Sequence, residues 1–174
     1  MVEVRPIRPS DWQLLKAIRL EALRDAPEAF CTPYEEAECL PDSHWKQRAS
    51  QSGDGDALTV LALEGDRPVG MSVGVLRTEG TKPFVEVLAV FISEDLRRLG
   101  VADRLFENVE AWARSKGATS LSLLVEEKNP GARRFYDKQG YVYVNELVSS
   151  PSGDGLWQMR YNKQLINDVT QPTP

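Results

Sequence analysis

The sequence predicts one α/β domain whose mixed, mostly antiparallel sheet has six to seven strands and helices on both faces. Two observations predict it. Three strand-like segments, residues 58–63, 68–76 and 84–92, follow one another with short separators, which is typical of antiparallel hairpins. Helical and strand-like segments then alternate over residues 100–116, 121–125, 130–139, 141–148 and 156–161. Hairpins followed by such alternation favour a mixed sheet covered on both sides.

The first third of the chain adds a strand and several helices. Residues 2–8 alternate apolar and charged side chains, the pattern of a half-buried strand. Ser10 or Asp11 is a suitable N-cap for a following helix. The apolar side chains of that helix recur at helical spacing: Leu14, Leu15, Ile18, Ala22 and Leu23. Two short helices are expected within residues 30–51. We place the domain at residues 1–165 and expect a loose C-terminal tail over residues 166–174.

Composition excludes several classes of function. The net charge of -5 argues against a duplex nucleic acid partner, which needs many Lys and Arg contacts to phosphates. No apolar run approaches the roughly 20 residues that cross a bilayer, and the N-terminus lacks a signal-peptide pattern, so we expect a cytoplasmic protein with no membrane partner. The one histidine, His44, and the spacing of Cys31 and Cys39 predict no metal site.

The most informative segment joins residues 87–92 to the helix that follows. This almost wholly apolar strand runs into Ser93-Glu94-Asp95, and then Arg97, Arg98 and Gly100 open a long helix. A helix start has unpaired backbone N–H groups and a partial positive charge, so it attracts anions. The turn alone leaves two interpretations open: a pyrophosphate site, or a plain helix start with solvated arginines.

A resemblance to a known family rests on two motifs. Arg97-x-x-Gly100-x-Ala102 is similar to the [QR]-x-x-G-x-[GA] signature of the GNAT superfamily of N-acetyltransferases. Downstream, residues 129–141 resemble the N-x-x-A-x-x-F-Y-x-x-x-G-[FY] block of the same family. The similarity covers about residues 57–161. It implies a GNAT-like fold and acetyl-CoA as acyl donor, with no metal.

The resemblance also implies which residues bind acetyl-CoA. The backbone of the fourth strand would pair with the pantetheine arm, the turn would surround the pyrophosphate, and Asn129 would reach the cofactor beside its arm. The implied residues are Val90, Phe91, Ile92, Arg97, Arg98, Leu99, Gly100, Val101, Ala102, Asp103, Asn129 and Tyr136. Leu99 and Glu94 depart from the residues common in relatives, and Glu94-Asp95 tempers the positive charge of the turn.

Two side chains are candidates for proton transfer. Tyr136 lies where the family has a tyrosine near the CoA sulfur, and a phenol can donate a proton to a thiolate; the alternative is a packed aromatic residue. Glu86 lies at the start of the fourth strand, where some relatives have a glutamate that acts as base through water; the alternative is an edge glutamate facing water. Leu124 stands where relatives that acetylate peptide N-termini have a glutamate, which weakens that substrate assignment.

The acceptor is expected to be a primary amine of a small molecule or peptide. By resemblance, Phe30, Tyr34 and Glu35 frame its site, together with Glu36, Glu38 and residues 149–156. A solvated charged helix is the alternative for the glutamates. Two other functions stay open: a CoA-binding sensor or inactive module, and an acyltransferase with a different acyl donor. Relatives are often dimers, so a homodimer through the last strands is also expected.

Overall fold

Within residues 1–30, 32–150 and 155–165, which the computed structural model describes, seven strands form one sheet in the order β1-β2-β3-β4-β5-β7-β6. The strands are β1 (Val2–Pro6), β2 (Ala57–Glu64), β3 (Arg67–Glu79), β4 (Lys82–Ile92), β5 (Ser120–Glu126), β6 (Val142–Ser149) and β7 (Trp157–Gln164). The helices are α1 (Trp12–Asp25), α2 (Tyr34–Glu38), α3 (Asp42–Ser50), α4 (Val101–Ser115) and α5 (Pro130–Lys138). Every pair of neighbouring strands is antiparallel except β4 and β5. The predicted fold class is confirmed.

Helices cover both faces of the sheet, and β2 has apolar side chains on both faces. On one face, Leu61 and Leu63 pack with Ile18 of α1 and Trp45 of α3. On the other face, Leu58, Val60 and Ala62 pack against the apolar side of α4: Val101, Leu105, Phe106, Val109 and Ala113. These faces are called the α1 face and the α4 face below.

The hairpin between β3 and β4 is longer than the hydrophobic pattern predicts. Gly80 takes a left-handed φ of 61°, and Glu79 pairs with Lys82 across the turn. A left-handed residue suits a tight antiparallel turn. Because the turn is this tight, polar residues of β3 and β4 extend the hydrogen-bonded pairing of the two strands beyond the apolar run. The hairpin therefore sets which β3 side chains lie beside β4.

The Asp11 carboxylate does not cap α1. It accepts a 2.6 Å hydrogen bond from Arg5 Nη1 and a 2.7 Å bond from the Arg8 backbone N–H. Burial of the carboxyl would raise its pKa, but the bond from Arg5 and then the bond from Arg8 outweigh it, and the pKa lies below its usual value. Asp11 thus ties β1 to the start of α1, and the N-cap prediction was right in position but wrong in contact.

The parallel pairing of β4 and β5 ends early. Only Phe84–Glu86 of β4 pair with Ser120–Ser122 of β5, although the strands continue to Ile92 and Glu126. A bulge in β4 accompanies this: Met71 pairs with Phe91 but Val73 with Leu88, so Ala89 and Val90 both face Ser72. Ala89 has a φ of 52°. Because a bulge bends its strand, it marks where β4 leaves the ladder with β5.

The last strands carry exposed apolar side chains. Val142, Val144 and Leu147 of the edge strand β6 are exposed, as is Trp157 of β7. The homodimer through these strands stays a prediction. So does the boundary after residue 165, because residues 166–174 lie outside the described part of the chain. Among the described residues, no helix is long and apolar enough to span a bilayer.

Candidate functional site

The turn between β4 and α4 follows a tightly fixed path. The Ser93 N–H donates to the Val69 carbonyl at 2.9 Å, and a short 3-10 helix, Glu94–Leu96, comes next. Arg98 and Gly100 then take left-handed φ values of 64° and 78°. Backbone N–H groups in turns with left-handed residues converge to form anion-binding concavities. The predicted helix start is confirmed, and its turn has the geometry of an anion site.

The first turn of α4 supplies unpaired donors. The first helical hydrogen bond that returns to Gly100 comes from the Arg104 N–H, at 3.4 Å. The N–H groups of Val101, Ala102 and Asp103 precede that bond, so they have no acceptor inside the helix. At Gly100 a Cβ would meet Asp103 Oδ2 at 3.7 Å, an ordinary contact. The φ of Gly100, rather than lack of space, is therefore what favours glycine there.

The two arginines of the turn differ in their contacts. Arg97 Nε donates to the Ile92 carbonyl at 3.0 Å and so ties the turn to the end of β4. Arg98 is exposed, and Leu99 is 67% exposed. Asp103 accepts a hydrogen bond from Gln139 Nε2, which connects the start of α4 to the end of α5. Of the two arginines, Arg98 therefore has the side chain more available to bind an anion.

Two contacts hold the acidic part of the turn. Ser93 Oγ donates to Glu21 Oε1 of α1 at 2.5 Å, and Ser93 is 2% exposed. Arg67 of β3 forms an ion pair with Asp95 at 3.1 Å, and its hydrogen bond lowers the pKa of the Asp95 carboxyl. The charge of Asp95 is therefore partly balanced beside the turn. Sequence reasoning missed both contacts because the partners are far apart along the chain.

Tyr136 lies in a cluster of aromatic rings on the α4 face. Its ring centroid is 5.8 Å from that of Phe106, 5.4 Å from Phe135 and 5.9 Å from Tyr141. The residue is 9% exposed, and burial raises the pKa of its hydroxyl to about 12. The phenol therefore stays protonated at neutral pH. The Tyr141 hydroxyl of the same cluster is buried without a hydrogen-bond partner among the described residues.

Asn129 precedes α5 as its N-cap. Its Oδ1 accepts a 3.0 Å hydrogen bond from the Ala132 N–H, which satisfies one unpaired donor of the helix start. The side-chain oxygen thus already accepts a hydrogen bond within the protein, whereas Nδ2 takes no part in the cap. The residue itself is exposed. The amide nitrogen of Asn129 is therefore suited to contact a ligand.

Glu86 points to the α1 face, opposite the buried Val85 and Val87 of the same strand. Its carboxylate accepts a 3.1 Å hydrogen bond from Arg77 Nε of β3, and its side chain is 20% exposed. Glu86 is therefore neither an edge residue nor a freely solvated one. The hairpin register, in which Arg77 pairs with Phe84, places Arg77 beside it.

A basin of about 850 Å³ opens over this part of the α1 face. Its lining is polar and comes from β3 to β7: Arg77, Thr78, Glu79, Lys82, Phe84, Glu86, Thr119, Ser120, Ser122, Glu146, Arg160, Asn162 and Gln164. Sequence reasoning found only Glu86 among these residues. The alternation of Ser120 and Ser122 with Leu121 and Leu123 was the available signal, since it gives β5 one polar face.

The three residues expected to frame the acceptor do not line the basin. Phe30 is half-buried, with the Arg19 guanidinium 4.5 Å from its ring centre. The Tyr34 hydroxyl accepts from Arg24 Nη2 at 2.9 Å and donates to Glu38 at 3.0 Å, so it ties α1 to α2. Glu35 is exposed. Of residues 149–156, positions 151–154 lie outside the described part of the chain.

The structure thus brings together most of the predicted cofactor residues. Val90, Phe91 and Ile92 end β4 beside the opening to β5, and residues 97–103 follow directly. Unpaired amides, left-handed residues and an exposed arginine fit a diphosphate group at this point. In residues 1–30, 32–150 and 155–165, no group of three or more His, Cys, Asp and Glu side chains is arranged to hold a metal.

Comparison with known proteins places the chain in a family. Residues 17–141 match the Acetyltransferase (GNAT) family. Over 89 residues the chain is 30% identical to N-alpha-acetyltransferase 20 of Dictyostelium discoideum, which covers 51% of this chain and 51% of that protein. The chain therefore spans about half the length of this curated relative.

Solved structures share the fold. An acetyltransferase of the GNAT family from Streptococcus pneumoniae has a TM-score of 0.80 and 16% identity, covering 95% of this chain and 99% of that one. NAA60 of Arabidopsis thaliana in complex with acetyl-CoA has a TM-score of 0.69 and 18% identity, with coverage of 95% and 99%. The family match runs from α1 to the end of α5 and includes both the turn before α4 and Tyr136. The chain belongs to the GNAT family of acetyltransferases.

Proposed function

We propose that this protein transfers an acetyl group from acetyl-CoA to the primary amine of a small molecule or peptide, by direct attack of the amine. The observation that carries the proposal is the position of the anion site. The unpaired amides at the start of α4 come after the end of β4 that no longer pairs with β5. The acetyl-CoA complex of NAA60 and the name of the Dictyostelium relative support the same donor and reaction.

In this proposal the protein binds the donor mainly through its backbone. The amides of residues 98–103 hold the pyrophosphate, with the Arg98 charge nearby, while Arg97 and Asp103 also keep the turn in place. From the bulge onward, the backbone of Val90, Phe91 and Ile92 does not pair with β5 and offers a strand edge to the pantetheine arm. Asn129 contributes its amide nitrogen, since its oxygen caps α5.

Acetyl-CoA supplies a thioester carbonyl and a thiol leaving group. The residues of the chain then have to manage two protons. Glu86 accepts the proton that the ammonium group of the acceptor loses, directly or through water, and the Arg77 ion pair orients its carboxylate. Tyr136 donates its proton to the departing sulfur, and the phenolate regains a proton from the nitrogen, which carries an extra one after the attack. A hydroxyl that is protonated at neutral pH can fill this role.

The experiment that tests the function is release of free thiol from acetyl-CoA in the presence of amino acids, polyamines, aminoglycosides and short peptides. We expect release with at least one of these classes. Tyr136→Phe should lower kcat about 100-fold or more, the usual contribution of a general acid, with little change in the KM for acetyl-CoA. Phe135→Leu, a change to its ring neighbour that keeps the hydroxyl, should retain most of the turnover.

The other outcomes separate the alternative functions. Binding of acetyl-CoA with no thiol release in any class would overturn the proposal in favour of a CoA-binding sensor. Release that occurs only with a longer acyl-CoA would instead indicate a different donor. An unchanged kcat in Tyr136→Phe would remove Tyr136 from the mechanism while leaving the reaction in place.

A further inference from the structure

We propose that the acceptor is a small zwitterion, a primary amine that also carries a carboxylate, as in an amino acid. Its amine lies at Glu86 and its carboxylate at Arg160, on the floor of the basin. This inference rests on the proposed function and narrows its acceptor. Four features of the basin carry it: the strand register, the contacts of Arg160, the balance of charge and one unpaired amide oxygen.

The register places three polar side chains in a row across the sheet. Glu86 of β4 pairs with Ser122 of β5, and Ser122 pairs with Asn162 of β7. Residues that pair directly across strands point to the same face, so the row lies on the basin side. Ser122 is 4% exposed, which makes it part of the floor rather than a solvated surface. A polar row in the middle strands, with no helix lining the basin, is suited to a polar ligand.

Arg160 brings a positive charge over this row. Its Nη1 donates to Ser122 Oγ at 3.2 Å, and its Nε donates to Glu146 at 3.0 Å. Ser122 pairs with Glu86 at one strand spacing, about 5 Å between backbones, so the guanidinium lies on the same face of the sheet as the Glu86 carboxylate and one strand away from it. These two bonds leave N–H donors of the guanidinium unused, and a guanidinium binds carboxylates well. An amine and a carboxylate separated by a few bonds match this pair.

The basin has no excess of either charge. Its basic residues are Arg77, Lys82 and Arg160, and its acidic residues are Glu79, Glu86 and Glu146. Three charges of each sign sum to zero, whereas a site for a polyamine or aminoglycoside would carry excess negative charge. Opposite charges held side by side complement a ligand that itself carries both signs.

The floor of the basin also has a hydrogen-bond acceptor atom without a donor among the described residues. Asn162 Oδ1 is buried, and no donor among the described residues bonds to it. Buried polar atoms in proteins are rarely left in that state. A donor group of the bound molecule, or a water held beneath it, fills this position in the proposed complex.

The test compares matched acceptors in the thiol-release assay: standard L-amino acids, their carboxamides and the corresponding decarboxylated amines. We expect at least one amino acid to have a kcat/KM at least tenfold above both its amide and its decarboxylated form. Arg160→Gln should abolish this preference by raising the KM of the amino acid and leaving that of the amide unchanged. Arg160→Lys keeps the positive charge but lacks the paired N–H donors of a guanidinium, so it should retain part of the preference.

A control and two contrary outcomes complete the test. Lys16→Gln breaks an ion pair with Asp42 on α1 and α3, away from the basin, and should leave the preference intact. Efficient turnover of peptides, polyamines or amides with no gain from a carboxylate would overturn this inference and leave the acetyltransferase function standing. No thiol release with any amine would overturn the proposed function and this inference with it. A preference that survives Arg160→Gln would show that the carboxylate binds elsewhere.

Discussion

Replacement of Tyr136 by phenylalanine is expected to change how stability responds to alkaline pH. Burial raises the pKa of Tyr136 from 10.0 to about 12 in the folded protein. Below pH 10 the phenol is protonated in both the folded and the unfolded state. Above pH 10 the unfolded state releases the proton and the folded state does not, so the stability that the neutral phenol provides is lost as the pH rises toward 12.

The magnitude follows from that pKa difference. At pH 11 the unfolded phenol is ionised about ten to one and the folded phenol is protonated by about the same ratio, which corresponds to about 1.4 kcal/mol of lost stability. Toward pH 12 and above the loss approaches about 3 kcal/mol, the full value for a pKa difference of about two. Tyr136→Phe removes the titrating group, so the variant escapes this loss.

The assay is urea unfolding of wild type and Tyr136→Phe at pH 8 and pH 11. The free energy of unfolding should fall more in wild type than in the variant, by about 1.4 kcal/mol. Phe135→Leu, which has no ionisable group in either form, should lose the same stability at both pH values relative to wild type. Equal pH dependence in wild type and Tyr136→Phe would refute the burial of the Tyr136 hydroxyl.

Three further substitutions test the packing of β3 against α4 and the hydrogen bonds of Asp11. Gly74→Ala should lower stability in urea unfolding by about 1–3 kcal/mol, because its Cβ would lie 3.0 Å from Val109 Cγ1. Gly131→Ala, which has room in α5, should be neutral or stabilising, and an equal effect of both would contradict the close packing of β3 against α4. Asp11→Asn should lower the free energy of unfolding by about 2 kcal/mol at pH 7, because it removes the charge of the carboxylate that accepts the hydrogen bond from Arg5. The hydrogen bonds of Asp11 hold its pKa below 3.8 despite burial, so this stability is present above pH 3.8 and disappears as the pH falls through the folded pKa. A deficit in Asp11→Asn that did not shrink in acid would be inconsistent with that role.

The elements were predictable from the sequence because their apolar spacing is strong. The buried positions of α4 recur at helical spacing, and β2 is apolar on both sides because both of its faces are covered. The turn before α4 was predictable for a related reason: Gly100 and two arginines follow a buried strand, and few other segments combine those features. The sequence pattern was therefore sufficient for the helices, strands and turns whose structure depends on residues close together in the chain.

Contacts between distant segments were not predictable in this way. An alanine at a φ of 52° is unusual, and nothing around Ala89 in the sequence marks the bulge that parts β4 from β5. The contact of Arg160 with Ser122 depends on the pairing of β5 with β7, whose register no motif sets. The contact of Arg97 Nε with the Ile92 carbonyl was not indicated by the motif, and the role of Arg97 as a phosphate ligand stays a prediction. Side-chain roles at the site therefore needed the three-dimensional register.

The central claim, that the turn before α4 holds the pyrophosphate of acetyl-CoA, is tested most directly by calorimetric titration of acetyl-CoA into wild type and Gly100→Ala. A residue other than glycine at a φ of 78° costs about 1–2 kcal/mol, so relaxation of the turn should weaken acetyl-CoA binding about tenfold. S-acetylpantetheine, which lacks the pyrophosphate, should bind both proteins equally. Unchanged affinity for acetyl-CoA in Gly100→Ala, or an equal loss for both ligands, would contradict the claim.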